Sequence, residues 1–161
     1  ELSVTGWRTG LELAREKGVT DDPVMRQRLA VAYTKVEVMR FLGYSALTAF
    51  LNGKKPGPDA SIGKLFWAEY HKEVTELAVD ILGADALTPS GKPALTYLRS
   101  DAVGSPNSSA SWVDVFLNAR AGSIYAGSSQ VQRGIVGEQI LGLPKEPRAD
   151  AGPWRAIPGH G

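Results

Sequence analysis

The chain has no cysteine and only two histidines, His71 and His160. Without thiols there is neither a disulfide framework nor a thiolate metal site. Two histidines so far apart do not make a His-rich metal centre. An excess of one charge is missing as well, since basic and acidic residues leave a formal net charge of +1. That balance argues against nucleic acid and against an anionic membrane as partners. No apolar run reaches the ~18 residues that a membrane span needs, and no signal-peptide pattern opens the chain. The expectation is a cytoplasmic protein with no membrane contact. A first residue that is Glu1 rather than Met suggests a piece of a longer polypeptide. Strand alternation is scarce throughout, which points away from a sheet.

What is present is a length of 161 residues, 43% of them apolar. This is one domain by size, able to bury a core without staples. Helical periodicity organises it. Leu2 to Lys17 reads as a first, weaker helix stopped at Gly18. Thr20-Asp21-Asp22-Pro23 opens the next, with an Asp cap and Pro at the first helical position. Met25, Leu29, Ala32, Val36, Met39, Gly43, Ala46 and Phe50 then recur in steps of four and three, which predicts one continuous apolar seam up to Asn52-Gly53. Asp59 is expected to cap a second long helix with the seam Ile62, Phe66, Tyr70, Val74, Leu77 and Ile81, ended by Gly83. A polar stretch from Ala84 to Ser109, rich in Pro, Gly and Ser, follows; loops of that length are usually functional or mobile. Ser111 is expected to open a third helix with Trp112, Phe116 and Ala119. A fourth is expected from about Ser129 to Leu141, ended by Pro144 and Pro147.

Amphipathic helices of this kind bury their seams against one another. The predicted fold is therefore all-α: an up-down-up-down four-helix bundle over residues 1–148, with a weaker N-terminal helix and a long loop before the third bundle helix. Residues 149–161 show no periodicity and read as an irregular tail.

Most of the chemistry is concentrated in Ile124 to Arg148, IYAGSSQVQRGIVGEQILGLPKEPR. Gly127 permits a positive φ or a close backbone approach. Ser128 or Ser129 can cap the following helix, whose first N–H groups also favour an anion or a sugar-phosphate oxygen. Taken alone, the turn is an ordinary Ser-capped helix start. Elsewhere, Glu69, His71, Glu73 and Glu76 crowd one helix. A di-iron bundle needs Glu three residues before His, and Ala68 stands there, so the group reads as a solvated face and no metal is expected. Gly127-Ser128-Ser129-Gln130-Val131 lacks the fifth-position Gly of a nucleophile elbow. Trp67 and Trp112 read as bundle core or rim.

The whole string resembles the C-terminal end of the acyl-CoA dehydrogenase family, where a Tyr-Glu-Gly-Thr-Ser-Gln-like turn meets flavin and thioester. Lys35-Val36-Glu37, Ala60-Ser61-Ile62-Gly63-Lys64 and Asp80-Ile81-Leu82-Gly83 resemble further parts of that domain, in the style of actinobacterial lipid and sterol catabolism. The resemblance covers most of Asp21 to Arg148. It implies FAD as cofactor, an acyl-CoA substrate and α,β-dehydrogenation, with the bundle forming an oligomer core with like or related subunits. It implies flavin contacts at Ser128, Gln130, Gly127, Gly83 and Asp80, and puts Tyr125 and Ala126 at the acyl thioester. Ala126 occupies the position where many members carry the Glu base, so no catalytic residue is assigned. Some members carry the base on an earlier helix, which would lie before Glu1 or at its edge. Asp80 stands where the family has Gln, and there it would repel a pyrophosphate unless a cation intervened. Two roles follow from the resemblance: a domain of an active dehydrogenase, or a non-catalytic assembly subunit. Val31, Val38, Phe41, Leu47, Leu65 and Trp67 lie off the seams and offer material for oligomer contacts.

Overall fold

The computed structural model describes residues 4–55, 57–94 and 107–145, with side chains from Trp7 onward. The elements are α1 (Val4–Glu16), α2 (Pro23–Leu51), α3 (Asp59–Leu82), α4 (Ser109–Ala119) and α5 (Ser129–Ile135). Short 3-10 turns at Gly83–Ala86 and Arg120–Ser123 follow α3 and α4, and a π turn, Val136–Ile140, extends α5. No strand occurs among the described residues. The all-α expectation holds. Residues 95–106 of the long loop and the whole 149–161 tail lie outside the described residues.

Local chemistry explains the boundaries. Asp22 Oδ1 accepts from Met25 N at 2.8 Å, and Pro23 supplies the preset φ of the first turn. Gly18, at φ 67°, ends α1 where a Cβ would be strained. Two expected caps fall elsewhere. Pro58 precedes α3 and makes no side-chain cap bond; Asp59 is already helical and pairs with Lys54 at 2.8 Å. Its carboxylate meets that ammonium while its charge still suits the positive helix end. The cap of α4 is Ser108, whose hydroxyl accepts from Ser111 N at 3.1 Å. Ser111 itself is buried, one turn inside the helix.

α3 is the central helix. Leu77, Ala78, Ile81 and Leu82 pack with Leu13, Ala14, Leu29 and Trp112 in one cluster. Tyr70 and Val74 pack with Ala32 and Val36 in a second. The first helix is thus part of the core rather than a weak flank. Trp7 Nε1 donates to the Leu29 carbonyl at 3.1 Å, and its ring lies 4.8 Å from that of Tyr33. Arg28 pairs with Asp80 and Lys35 with Glu73, two turns further along α2 and two turns back along α3, so these helices run antiparallel.

The predicted α2 seam is only half realised. Leu29, Ala32 and Val36 are buried, and Met25 and Met39 are half-buried. Gly43, Ala46 and Phe50 are exposed, Phe50 by 63%. α2 is 29 residues long, about 43 Å, and the described side chains of α1 reach no further than the level of Trp7. Beyond it, α2 has no neighbour among the described residues but the start of α3, where Ile62 is also exposed. The described ends of the long loop are tied to α4: Ser90 N donates to Ser109 Oγ at 2.9 Å, and Ala110 N donates to the Ser90 carbonyl at 3.1 Å. No helix among the described residues is long and apolar enough to cross a membrane.

Candidate functional site

The turn that the sequence singles out joins α4 to α5 at the edge of the bundle, against the first half of α3. Ala126 has φ 53° and is the one non-glycine residue at positive φ among those described. Gly127 follows at φ 86°. The φ favours glycine there, and a Cβ on Gly127 would stand 2.6 Å from Gln132 Nε2, so the Gln132 amide would have to move from its place on the Ala126 carbonyl. Ser128 caps α5, its hydroxyl accepting from Val131 N at 3.3 Å. α5 proper is seven residues long, which leaves it only a short helix to present an N-terminal field.

Two side chains tie the turn to the bundle. Gln132 Nε2 donates to the Ala126 carbonyl at 2.8 Å. Lys64 Nζ, reaching from α3, donates to the Gly127 carbonyl at 2.7 Å. There are no cis peptides among the described residues, so in each of these trans units the N–H points opposite the tied oxygen. Gly127 N–H and Ser128 N–H have no acceptor among the described residues. Each of these two amides therefore points away from the group that anchors its own peptide oxygen.

Trp67 lies under the same turn. Its ring edge is 3.5 Å from where a Gly122 Cβ would be, and the Tyr125 hydroxyl is 3.8 Å from the same point. Gly122 is the space that lets the indole and the phenol converge. Tyr125 is 38% exposed, and partial burial raises its phenol pKa, so it stays a neutral donor at physiological pH. Gln130 is exposed.

The remaining flavin candidates do not join this group. Asp80 and Gly83 lie at the other end of α3, roughly 24 and 28 Å from Lys64 at 1.5 Å per residue. Gly83, at φ 56°, terminates the helix. The Asp80 carboxylate is held by Arg28 at 2.7 Å, so the cation required to offset its charge is supplied by α2.

One surface expectation is overturned. His71 is not on a solvated face: it is 5% exposed and stacked on Trp67 at 5.2 Å and 12°. Burial drives its pKa down to about 4, and its Nε2 has no hydrogen-bond partner among the described residues. The Trp67–His71 spacing of one helical turn was the available signal. Glu69, Glu73 and Glu76 do lie outward, paired with Lys72, Lys35 and Arg120. No cluster of three or more His, Asp or Glu that could hold a metal occurs among the described residues. Sequence reasoning also gave no role to Lys64 or Gln132; nothing in a lone Lys on a distant helix points to a backbone oxygen.

The fold is thus an all-α domain with a tied-back, positive-φ turn at its edge. The family profile described as "Acyl-CoA dehydrogenase, C-terminal domain" matches residues 11–141. The chain belongs to the acyl-CoA dehydrogenase family and is its C-terminal helical domain. It is 36% identical over 136 residues to acyl-CoA dehydrogenase IpdE1 of Mycolicibacterium smegmatis, covering 84% of this chain and 30% of that protein. The protein of the same name from Mycobacterium tuberculosis is 36% identical over 139 residues, with 84% and 31% covered. Among solved structures, the Tcur3481-Tcur3483 steroid ACAD superposes with a TM-score of 0.67 at 27% identity, covering 87% of this chain and 34% of that one. The chain thus spans about 30% of the length of the curated relatives it matches.

The family is generally FAD-dependent. The residues present fit such a group at the turn, because a flavin and its ribityl-phosphate arm offer oxygen acceptors. Gly127 N–H, Ser128 N–H and Gln130 are unspent donors for them.

Proposed function

We propose that the chain is the C-terminal domain of a flavin-dependent acyl-CoA dehydrogenase, contributing one wall of the flavin and thioester pocket and part of the oligomer core. The observation that carries this reading is the turn, whose two carbonyls are tied back while the Gly127 and Ser128 amides have no acceptor among the described residues. Bound FAD would accept the hydride from the β carbon of the acyl chain. Ser128, Gly127 and Gln130 would hold the cofactor at this wall, and Tyr125 and Ala126 would border the thioester. Asp80 and Gly83 would serve a second contact at the far end of α3, where Arg28 offsets the acidic charge.

The α-proton cannot go to residue 126, because an alanine methyl takes no proton. A base must come from outside the turn. The same observation favours a second reading, in which this subunit serves assembly while a related subunit carries the base. The exposed apolar residues Val31, Val38, Phe41 and Leu47 would pair with a like or related bundle, and Leu65 would border them. Trp67 is committed to the turn and to His71.

The test uses the longer polypeptide that carries this domain, alone and with any co-encoded relative. FAD retained after gel filtration and dehydrogenation of acyl-CoA thioesters support the first reading. Activity only with the relative, whose own base is essential, supports the second. Absence of flavin in both preparations refutes both. Sedimentation of the chain at tens of micromolar should show a dimer or larger, and a species near 17 kDa would refute association through this domain.

A further inference from the structure

The turn is held in a conformation that its own sequence disfavours. Alanine at φ 53° is in the left-handed region, where a Cβ crowds the following carbonyl at a cost of about 1–2 kcal/mol. Such residues persist only where the surroundings over-determine them. Two groups do so here, and they act on consecutive peptides. Gln132 takes the Ala126 carbonyl and Lys64 the Gly127 carbonyl.

The two anchors are unequal. Gln132 lies in the helix that the turn itself begins, so its bond is local. Lys64 comes from α3, 63 residues away in sequence, and fixes the turn to the central helix. Lys64 is half-buried and forms no ion pair among the described residues. Its ammonium is therefore spent on a backbone oxygen, a charge-assisted bond stronger than a neutral one. A cation on the oxygen of a peptide polarises the whole unit and strengthens the N–H on its opposite side as a donor. That N–H is Ser128's, at the wall where the cofactor is expected.

We propose that Lys64 is the positioning residue of this site: from α3 it locks the Ala126–Ser128 backbone through the Gly127 carbonyl, so that the Gly127 and Ser128 amides face the flavin side. Gln132 completes the lock. The inference rests on the functional reading above, since it assigns the Gly127 and Ser128 amides to FAD.

The experiment has two arms. In the first, backbone carbon and amide shifts of residues 125–128 are measured in the isotope-labelled chain and in its Lys64→Met, Lys64→Arg and Gln132→Leu variants. Lys64→Met should move the shifts of 126–128 away from positive φ with helical circular dichroism unchanged, and Lys64→Arg should restore them. In the second, FAD affinity of the longer polypeptide is titrated. Lys64→Met should weaken it by about tenfold, the loss of one hydrogen bond to a charged group. Lys64→Arg should recover most of that, and Ala126→Gly added to Lys64→Met should recover part, because glycine accepts the turn without the lock. Unchanged shifts in Lys64→Met overturn the lock. Moved shifts with unchanged FAD affinity overturn its bearing on the cofactor. If Lys64→Met loses its helical signal, Lys64→Gln and Gln132→Leu take its place under the same criteria. A wild-type polypeptide that takes up no FAD overturns the functional reading itself, an outcome visible without any variant.

Discussion

Replacing Ala126 by glycine should stabilise the fold. Ala126 sits at φ 53° with its side chain exposed, so the methyl makes no buried contact to lose. Relief of the left-handed conformation returns about 1–2 kcal/mol. The greater freedom of glycine in the unfolded chain takes back about 0.5–1 kcal/mol. The net gain is about 0.5–1 kcal/mol, which for a domain of this size raises the melting temperature by about 1–4 °C. Ala126→Glu keeps a Cβ and points into solvent, so it should lie within about 0.5 kcal/mol of wild type. The neighbouring position should respond in the opposite sense. Gly127→Ala adds a Cβ at φ 86°, 2.6 Å from Gln132 Nε2, and should cost about 1–3 kcal/mol. Calorimetry on the three variants decides. A lower melting temperature for Ala126→Gly, or no loss for Gly127→Ala, refutes the description of this turn.

Other consequences follow from the core and its surface. His71 titrates at about 4 in the fold against 6.5 for the ordinary group, so between those values the unfolded chain binds the extra proton. Its contribution is complete above pH 6.5 and is lost as pH falls towards 4, up to about 3 kcal/mol. His71→Phe should flatten this acid limb, and an unchanged urea midpoint profile between pH 4 and 6.5 would contradict a buried neutral imidazole. Trp112 is 2% exposed and donates to Asn107 Oδ1 at 2.7 Å; Trp112→Ala should cost about 3–5 kcal/mol in chemical denaturation, and a loss under 1 kcal/mol would place it outside the core. Lys35→Met, which breaks an exposed pair with Glu73, should cost under about 1 kcal/mol, a loss that shrinks in salt.

The sequence revealed the helices wherever local chemistry decided them. Asp22-Pro23 and the glycine stops at Gly18 and Gly83 could be read directly, because caps and left-handed stops act within a turn of themselves. The cap at Ser108 and the depth of His71 could not. Several serines in succession can each accept from an exposed N–H; in the fold Ser109 is taken up by Ser90, Ser111 is buried, and Ser108, which also reaches the Lys92 carbonyl, is the cap. His71 stands among Glu69, Glu73 and Glu76, a setting that reads as solvent. Its burial shows in the stacking on Trp67 one turn away, which a run of charged neighbours does not announce. The continuous seam on α2 was correct as a pattern and incomplete as a prediction of burial, since periodicity says which face is apolar but not how far a neighbour extends.

The exposed half of α2 and the turn at the α4–α5 corner pose the same physical question on different scales. Phe41, Tyr44, Leu47, Phe50 and Leu51 are each more than half exposed, on a helix whose apolar spacing continues past its last described neighbour. At the corner, two peptide N–H groups have no acceptor among the described residues while the carbonyls of their own peptides are tied back. Apolar surface in water is unfavourable in proportion to its area, and a strained turn gives up stability that a relaxed one would keep. A domain that depended only on itself would gain by shortening α2 and by placing glycine at 126. On the function proposed above, both features have one account: the apolar face would be covered by a second bundle or companion domain, and the amide pair would meet the oxygen-rich cofactor.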